Sequence, residues 1–222
     1  MNDIHILNIK DRAYPQLLRE IHNPPKQLYV RGNIELLSHP RLLAVVGSRK
    51  ATEYGEAALR LLLPPIIQED IPIVSGLALG IDSLAHKLCV EAKQPTLAVL
   101  GTGIDDAGIY PRQNLSLAHS ILEHNGALVS EYPVGTKIFK GNFPARNRIV
   151  VGLCAATLVA QAAEKSGSLI SARLAMEANR EVLAIPGPIT ESTNAGTNQL
   201  IADGATPTLN NEDILLVLQH QK

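Results

Sequence analysis

The chain has 222 residues, 45% of them apolar, which suits one large domain, or one with a small appendage, and excludes disordered and collagen-like classes. No apolar run reaches the roughly 18 residues of a membrane span, and the charges at Asp3, Lys10, Asp11, Arg12, Arg19 and Glu20 argue against an ordinary secretory signal. Twenty Lys and Arg against 21 Asp and Glu leave a net charge of −1, which excludes a uniformly basic nucleic-acid coat but not a local basic patch.

Residues 1–40 are cut into short segments by Tyr14-Pro15, Pro24-Pro25 and Gly32, and read as a lead-in packed on the main domain of residues 41–222. From there, short apolar runs of strand length recur: Leu42–Val46, Ile71–Val74, Thr96–Leu100, Ala127–Ser130, Thr157–Gln161 and Val182–Ile185. Between them lie helix-length segments: Tyr54–Leu63, Gly80–Glu91, Arg112–Asn125, Arg146–Gly152, Ser168–Asn179 and Gly196–Asp203. The first is expected to end or kink near Leu63, because Pro64 and Pro65 remove backbone donors. The tail, Asn210–Gln219, has Ile214, Leu215 and Leu218 at helical spacing, suited to capping the core or meeting a partner. Strands alternating with helices, each strand apolar on both faces, predict an α/β fold: a doubly wound, mostly parallel, extended Rossmann-like sheet.

In such sheets ligands sit beyond the carboxyl ends of the strands. Five segments fall there: Gly47-Ser48-Arg49, Ser75–Asp82, Gly101-Thr102-Gly103, the stretch from Ser130 to Arg148, and Ser166-Gly167-Ser168. Glycines in these loops let backbone N–H groups approach a phosphate, and the helix that follows favours an anion. Any one loop is equally well a tight turn that needs glycine; all five at one sheet edge point to a phosphate-bearing ligand. No GxxxxGK[ST] and no GxGxxG after the first strand occurs, which disfavours ATP hydrolysis and ordinary NAD binding.

Pro133–Val150 carries Lys137, Lys140, Arg146 and Arg148 with no Asp or Glu, and holds Phe139 and Phe143, the only two phenylalanines of the chain. Cations that track a phosphate backbone, interleaved with an aromatic that stacks a base, are the parts of a single-strand site. The competing reading has both rings in the core and the charges on a solvated face. Arg49, whose planar fork suits phosphate, aims at the same rim. Asp82 and His86 are spaced to face each other as an acid/base pair, but a helix-start cap with a packed histidine is favoured. The seven His show no metal spacing, and Cys89 and Cys154 read as buried apolar residues in a reducing cytoplasm, so no metal and no cofactor are expected.

The ordered string of motifs is specific. It runs through Val45-Val46-Gly47-Ser48-Arg49 with Tyr54-Gly55, Val74–Asp82 with Ala85-His86, and Val99–Asp105 with Tyr110-Pro111. It continues through Phe143-Pro144-Ala145-Arg146-Asn147-Arg148-Ile149-Val150, Ser166–Ile170, Pro186-Gly187 and Gly196-Thr197-Asn198. This resembles the DNA-processing protein A (DprA/Smf) family over nearly the whole chain. The resemblance implies an extended Rossmann domain, without a catalytic step, that binds and protects single-stranded DNA in natural transformation. It also implies loading of the RecA recombinase and a homodimer in the cytoplasm. It carries DNA contact onto Arg49, Lys140 and Phe143, with Gly47, Ser48, Lys137, Asn142, Arg146, Arg148, Ser166, Gly167 and Ser168 around them. Two acids, Asp105 and Asp106, lengthen the Gly101–Pro111 loop and would weaken the groove's potential if they faced inward. No separate winged-helix domain is expected within these residues. The alternative is a phosphoribohydrolase-like enzyme or sensor for a small nucleotide, with Asp82 or Glu131 as its carboxylate.

Overall fold

The structure, a computed structural model, describes residues 4–219, so the first and last three residues of the two expected segments lie outside the described residues. In chain order the elements are β1 (Ile4–Asn8), α1 (Gln16–Arg19), β2 (Gln27–Gly32), β3 (Leu43–Gly47), α2 (Glu53–Gln68), β4 (Ile73–Ser75), α3 (Ile81–Glu91), β5 (Thr96–Leu100), α4 (Leu115–Glu123), β6 (Ala127–Ser130), α5 (Asn142–Gly152), β7 (Ala156–Gln161), α6 (Gly167–Glu177), β8 (Glu181–Ala184), α7 (Ala195–Ala202), β9 (Thr206–Pro207) and α8 (Asn211–Gln219). The strands form one sheet in the order β1-β2-β6-β5-β4-β3-β7-β8-β9. From β6 to β9 neighbours are parallel, while β1 and β2 join antiparallel at one end. This is the doubly wound α/β sheet that the alternating pattern predicts.

Successive residues of a strand face opposite sides, and β3 shows why both sides are apolar. Leu43 and Val45 pack with α2, α3 and α8, whereas Ala44 and Val46 pack with α5, α6 and the lead-in. A third cluster joins α4 to Ala98, Leu100 and Leu128.

Three sequence expectations need correction. α2 does not stop at Leu63 but continues through Pro64 and Pro65 to Gln68. The backbone bonds that the prolines remove are offset by Leu59, Leu62, Leu63, Ile66 and Ile67, all buried on one face. α5 starts one turn before Arg146, at Asn142, with Pro144 inside its first turn, where the amides have no intrahelical partner anyway. The lead-in supplies two strands that its punctuation hid: β2 pairs with β6, and β1 pairs with β2. Arg180 holds it from the other side, donating to Leu17 O at 3.0 Å. Ile214 and Leu218 of α8 are buried in the cluster with α2, so those two side chains cap the core. No helix among the described residues is long and apolar enough to cross a membrane.

Because Leu28 of β2 is fully buried in the same core as β3 and β5, Leu28→Ala is expected to cost about 2–5 kcal/mol. It should lower the midpoint of a single thermal transition; a separate early transition in calorimetry would mean that the lead-in melts independently.

Candidate nucleic-acid interface

The order of strands reverses between β3 and β7, because β4, β5 and β6 extend the sheet from one side of β3 and β7, β8 and β9 from the other. The loops leaving β3 and β7 therefore diverge, and a cleft of about 480 Å³ opens between them. Its walls include Gly47-Ser48-Arg49, Ala78, Asp82, Arg146, and Ser166-Gly167-Ser168. At its floor the β3–β7 register shifts after Val46, so that Gly47 faces Gln161 and the Ser48 amide donates to Gln161 O at 2.9 Å.

Each wall is locally determined. Ser48 Oγ accepts from the Lys50 amide at 3.1 Å and donates to Lys50 O at 2.9 Å, closing the turn that lifts Arg49 outward. Gln161, whose strand-end position gave no functional signal, ties this region together. Its carboxamide accepts from the Thr52 amide at 3.1 Å and donates to Thr52 Oγ1 at 2.8 Å and to Asn194 Oδ1 at 3.2 Å. Gly80 has φ +77°, and a Cβ there would lie 2.3 Å from Ser48 O; glycine is what lets α3 start against the β3 loop. Ser166 caps α6 through the Ser168 amide, and α6 has no acid in its first turn. The first turns of α2 and α3 hold Glu53, Glu56 and Asp82. The positive end of α6 is thus the one among these three left open for an external anion.

A smaller cleft of about 80 Å³ adjoins the first and shares Arg49, Ala78 and Arg146 with it. Tyr110 and Phe143 line it, with ring centroids 5.3 Å apart and planes tilted by 42°. Tyr110 is a candidate that the sequence reading missed, although Tyr110-Pro111 was visible as a motif. Arg49 borders both clefts, is exposed, and has no protein partner among the described residues. Lys137 and Lys140 stand exposed on the loop before α5, outside both clefts, and Asn142 opens that helix. Lys50, next to Arg49, is a further exposed cation with no acidic partner among the described residues.

The other two arginines of the basic stretch are engaged internally. Arg146 is buried, donates to Val99 O, and rests on the Gly76 backbone. Burial pulls its guanidinium down to about 10, against the opposing pull of Asp82. Arg148 grips both carboxylate oxygens of Glu131, at 3.0 and 2.5 Å, and donates to Asn23 O and Ala145 O. Glu131, a candidate carboxylate for the nucleotide reading, is therefore held in an ion pair. Asp82, the other, is buried and accepts from the Gly76 and Ala78 amides at 3.1 and 3.4 Å; burial raises its pKa while Arg146 opposes. Asp82 thus reaches back to brace the loop before its own helix.

His86 lies beneath this layer. Thr96 Oγ1 gives its proton to Ile73 O at 2.6 Å, so His86 Nδ1–H is the donor to Thr96 at 2.8 Å. Burial first, and the Arg146 charge second, push His86 down to about 3. Neither loop acid lines either cleft. Asp105 accepts from the Gly135 amide at 3.0 Å and anchors the loop before α5, while Asp106 pairs with Arg31 at 2.6 Å and His119 at 2.9 Å. No cluster of three His, Cys, Asp or Glu side chains suited to a metal occurs among the described residues.

The family model for DNA recombination-mediator protein A matches residues 5–219. The chain is 41% identical over 211 residues to the DNA processing protein DprA of Bacillus subtilis, covering 95% of this chain and 70% of that protein. The X-ray structure of DprA from Streptococcus pneumoniae superposes with a TM-score of 0.89 at 39% identity, covering 96% of this chain and 74% of that one. A structure of DNA processing protein A from Helicobacter pylori, which describes its single-stranded DNA binding mode, superposes with a TM-score of 0.84 at 31% identity, covering 99% and 98%.

Two outcomes follow from the division between buried and exposed cations. Arg146→Ala leaves Asp82 without its compensating charge and Val99 O without its donor, and should cost about 3 kcal/mol or more in denaturant unfolding. Arg49→Ala should stay within about 0.5 kcal/mol of the parent. His86 binds its proton near 6.5 unfolded but near 3 folded, so the unfolded chain holds more protons between those values. Stability should therefore fall as pH drops through that window, by about 1.4 kcal/mol per unit from this group, and His86→Gln should flatten the slope.

Proposed function

The chain belongs to the DNA recombination-mediator protein A family, and from this premise we propose that it binds single-stranded DNA along the carboxyl edge of its sheet. Phosphates sit against Arg49 and the open N-terminus of α6, Lys137 and Lys140 draw in the strand beyond the clefts, and a base lies against the Phe143–Tyr110 pair. The observation that carries this reading is the shared border: Arg49, with no protein partner among the described residues, lies between the larger cleft and the aromatic one. A phosphate and its own base need that juxtaposition of charge and ring. The Helicobacter pylori relative, described by its single-stranded DNA binding mode, supports the choice of ligand.

The reading extends to protection of incoming strands in transformation, transfer of the strand to the RecA recombinase, and a homodimer in the cytoplasm. Family membership supports these, and the chain spans 70% of the Bacillus subtilis protein. The role is one of binding, with no bond made or broken.

Anisotropy of a labelled single-stranded oligonucleotide, titrated at several salt concentrations, is the test. Affinity should fall steeply with salt, and Arg49→Ala or Lys140→Ala should each reduce the slope of log K against log salt by about 0.7. Phe143→Ala should weaken binding by about 1–3 kcal/mol with the slope unchanged. Equal affinity in the parent and all three variants would refute the site, and release of free base from a nucleoside monophosphate would favour the enzyme reading.

A further inference from the structure

The loop between β6 and α5 exposes three large apolar side chains, Val134, Ile138 and Phe139, at 55%, 48% and 66%. Phe139 stands out, because the chain has only two phenylalanines and Phe143, four residues on, is half-buried against Tyr110. The Asn142 amide donates to Phe139 O at 3.1 Å, and this tight turn separates the two rings. Gly141 makes room for the exposed ring: a Cβ there would lie 2.5 Å from the Phe139 ring edge. Lys137 and Lys140 flank Phe139, both exposed and without acidic partners among the described residues. Ion pairs tie down the nearby acids Glu131 and Asp106, and a backbone amide holds Asp105.

We infer that Phe139 is a second base-stacking platform, for a nucleotide neighbouring the one held at Phe143. An exposed ring between two cations matches a strand that offers an apolar base face between two phosphates. Val134 and Ile138 widen the apolar surface around it. The inference rests on the single-stranded DNA reading and deepens it, since it fixes a longer footprint that leaves the clefts and runs onto the rim loop.

The chain contains no tryptophan, so Phe139→Trp introduces a lone fluorescent reporter at this position. Thymidine oligonucleotides of increasing length are titrated against this variant, and against the parent, Phe139→Ala, Gly141→Ala and Phe143→Ala by anisotropy. The indole emission should be quenched by longer strands and not by thymidine monophosphate. Phe139→Ala should weaken binding of the longer strands by about five- to a hundredfold and leave the shortest strand unaffected. Gly141→Ala, which forces the ring aside, should weaken them by less. If the parent binds the single strand and Phe143→Ala impairs it, while the indole emission and the length dependence of Phe139→Ala stay unchanged, the second platform is refuted and the DNA reading stands. If the parent does not bind the strand at any length, both fall. A dimer that dissociates in Phe139→Ala with unchanged DNA affinity would assign the loop to a second copy and overturn the inference.

Discussion

Between β3 and β7 the chain changes the side on which it adds strands, and the loops leaving these two strands cannot cover the edge they share. Everything proposed for the molecule depends on that uncovered edge. It leaves room for the larger cleft and turns the N-terminus of α6 into it. It also lets Arg49 lean between that cleft and the aromatic pair. The surrounding parts hold the edge open. Gln161 clamps the β3 and β7 loops to the start of α2, and Gly80 lets α3 begin against Ser48 O.

The cations of this edge divide into two kinds, and the division is electrostatic. A buried guanidinium needs partners in the protein, and buried Arg146 and half-buried Arg148 have them in Val99 O, the facing Asp82 charge, and Glu131. These two hold the loops in place. Arg49, Lys137 and Lys140 are exposed and have no acidic partner among the described residues, so they are available to phosphates, whose condensed counterions they would release. Asp106 is paired with Arg31 and His119, and Asp105, which anchors the loop before α5 through the Gly135 amide, lies outside both clefts. A chain with net charge −1 can in this way present a local positive face.

Much of this was legible in the amino-acid sequence, for reasons that particular residues make clear. β5 and β6 coincide with the apolar runs Thr96–Leu100 and Ala127–Ser130, since a strand buried on both faces leaves a continuous pattern. Gly47-Ser48-Arg49 and Ser166-Gly167-Ser168 share a cleft because both follow strands at the same end of the sheet. What the sequence hid were effects of tertiary burial. Nothing in Pro64-Pro65 shows that five buried neighbours sustain the helix, and nothing in Arg146-Asn147-Arg148 shows which way each side chain turns. The strand in Ile4–Asn8 became definable only through its pairing with β2, and Tyr110 only through its contact with Phe143.

A crystal structure of the chain with a short thymidine oligonucleotide would place the strand directly. Phosphates should lie against Arg49 and the first turn of α6, with a base on the Phe143–Tyr110 pair. A strand lying elsewhere, at the amino ends of β3 and β7 or along α7 and β9, would contradict this placement.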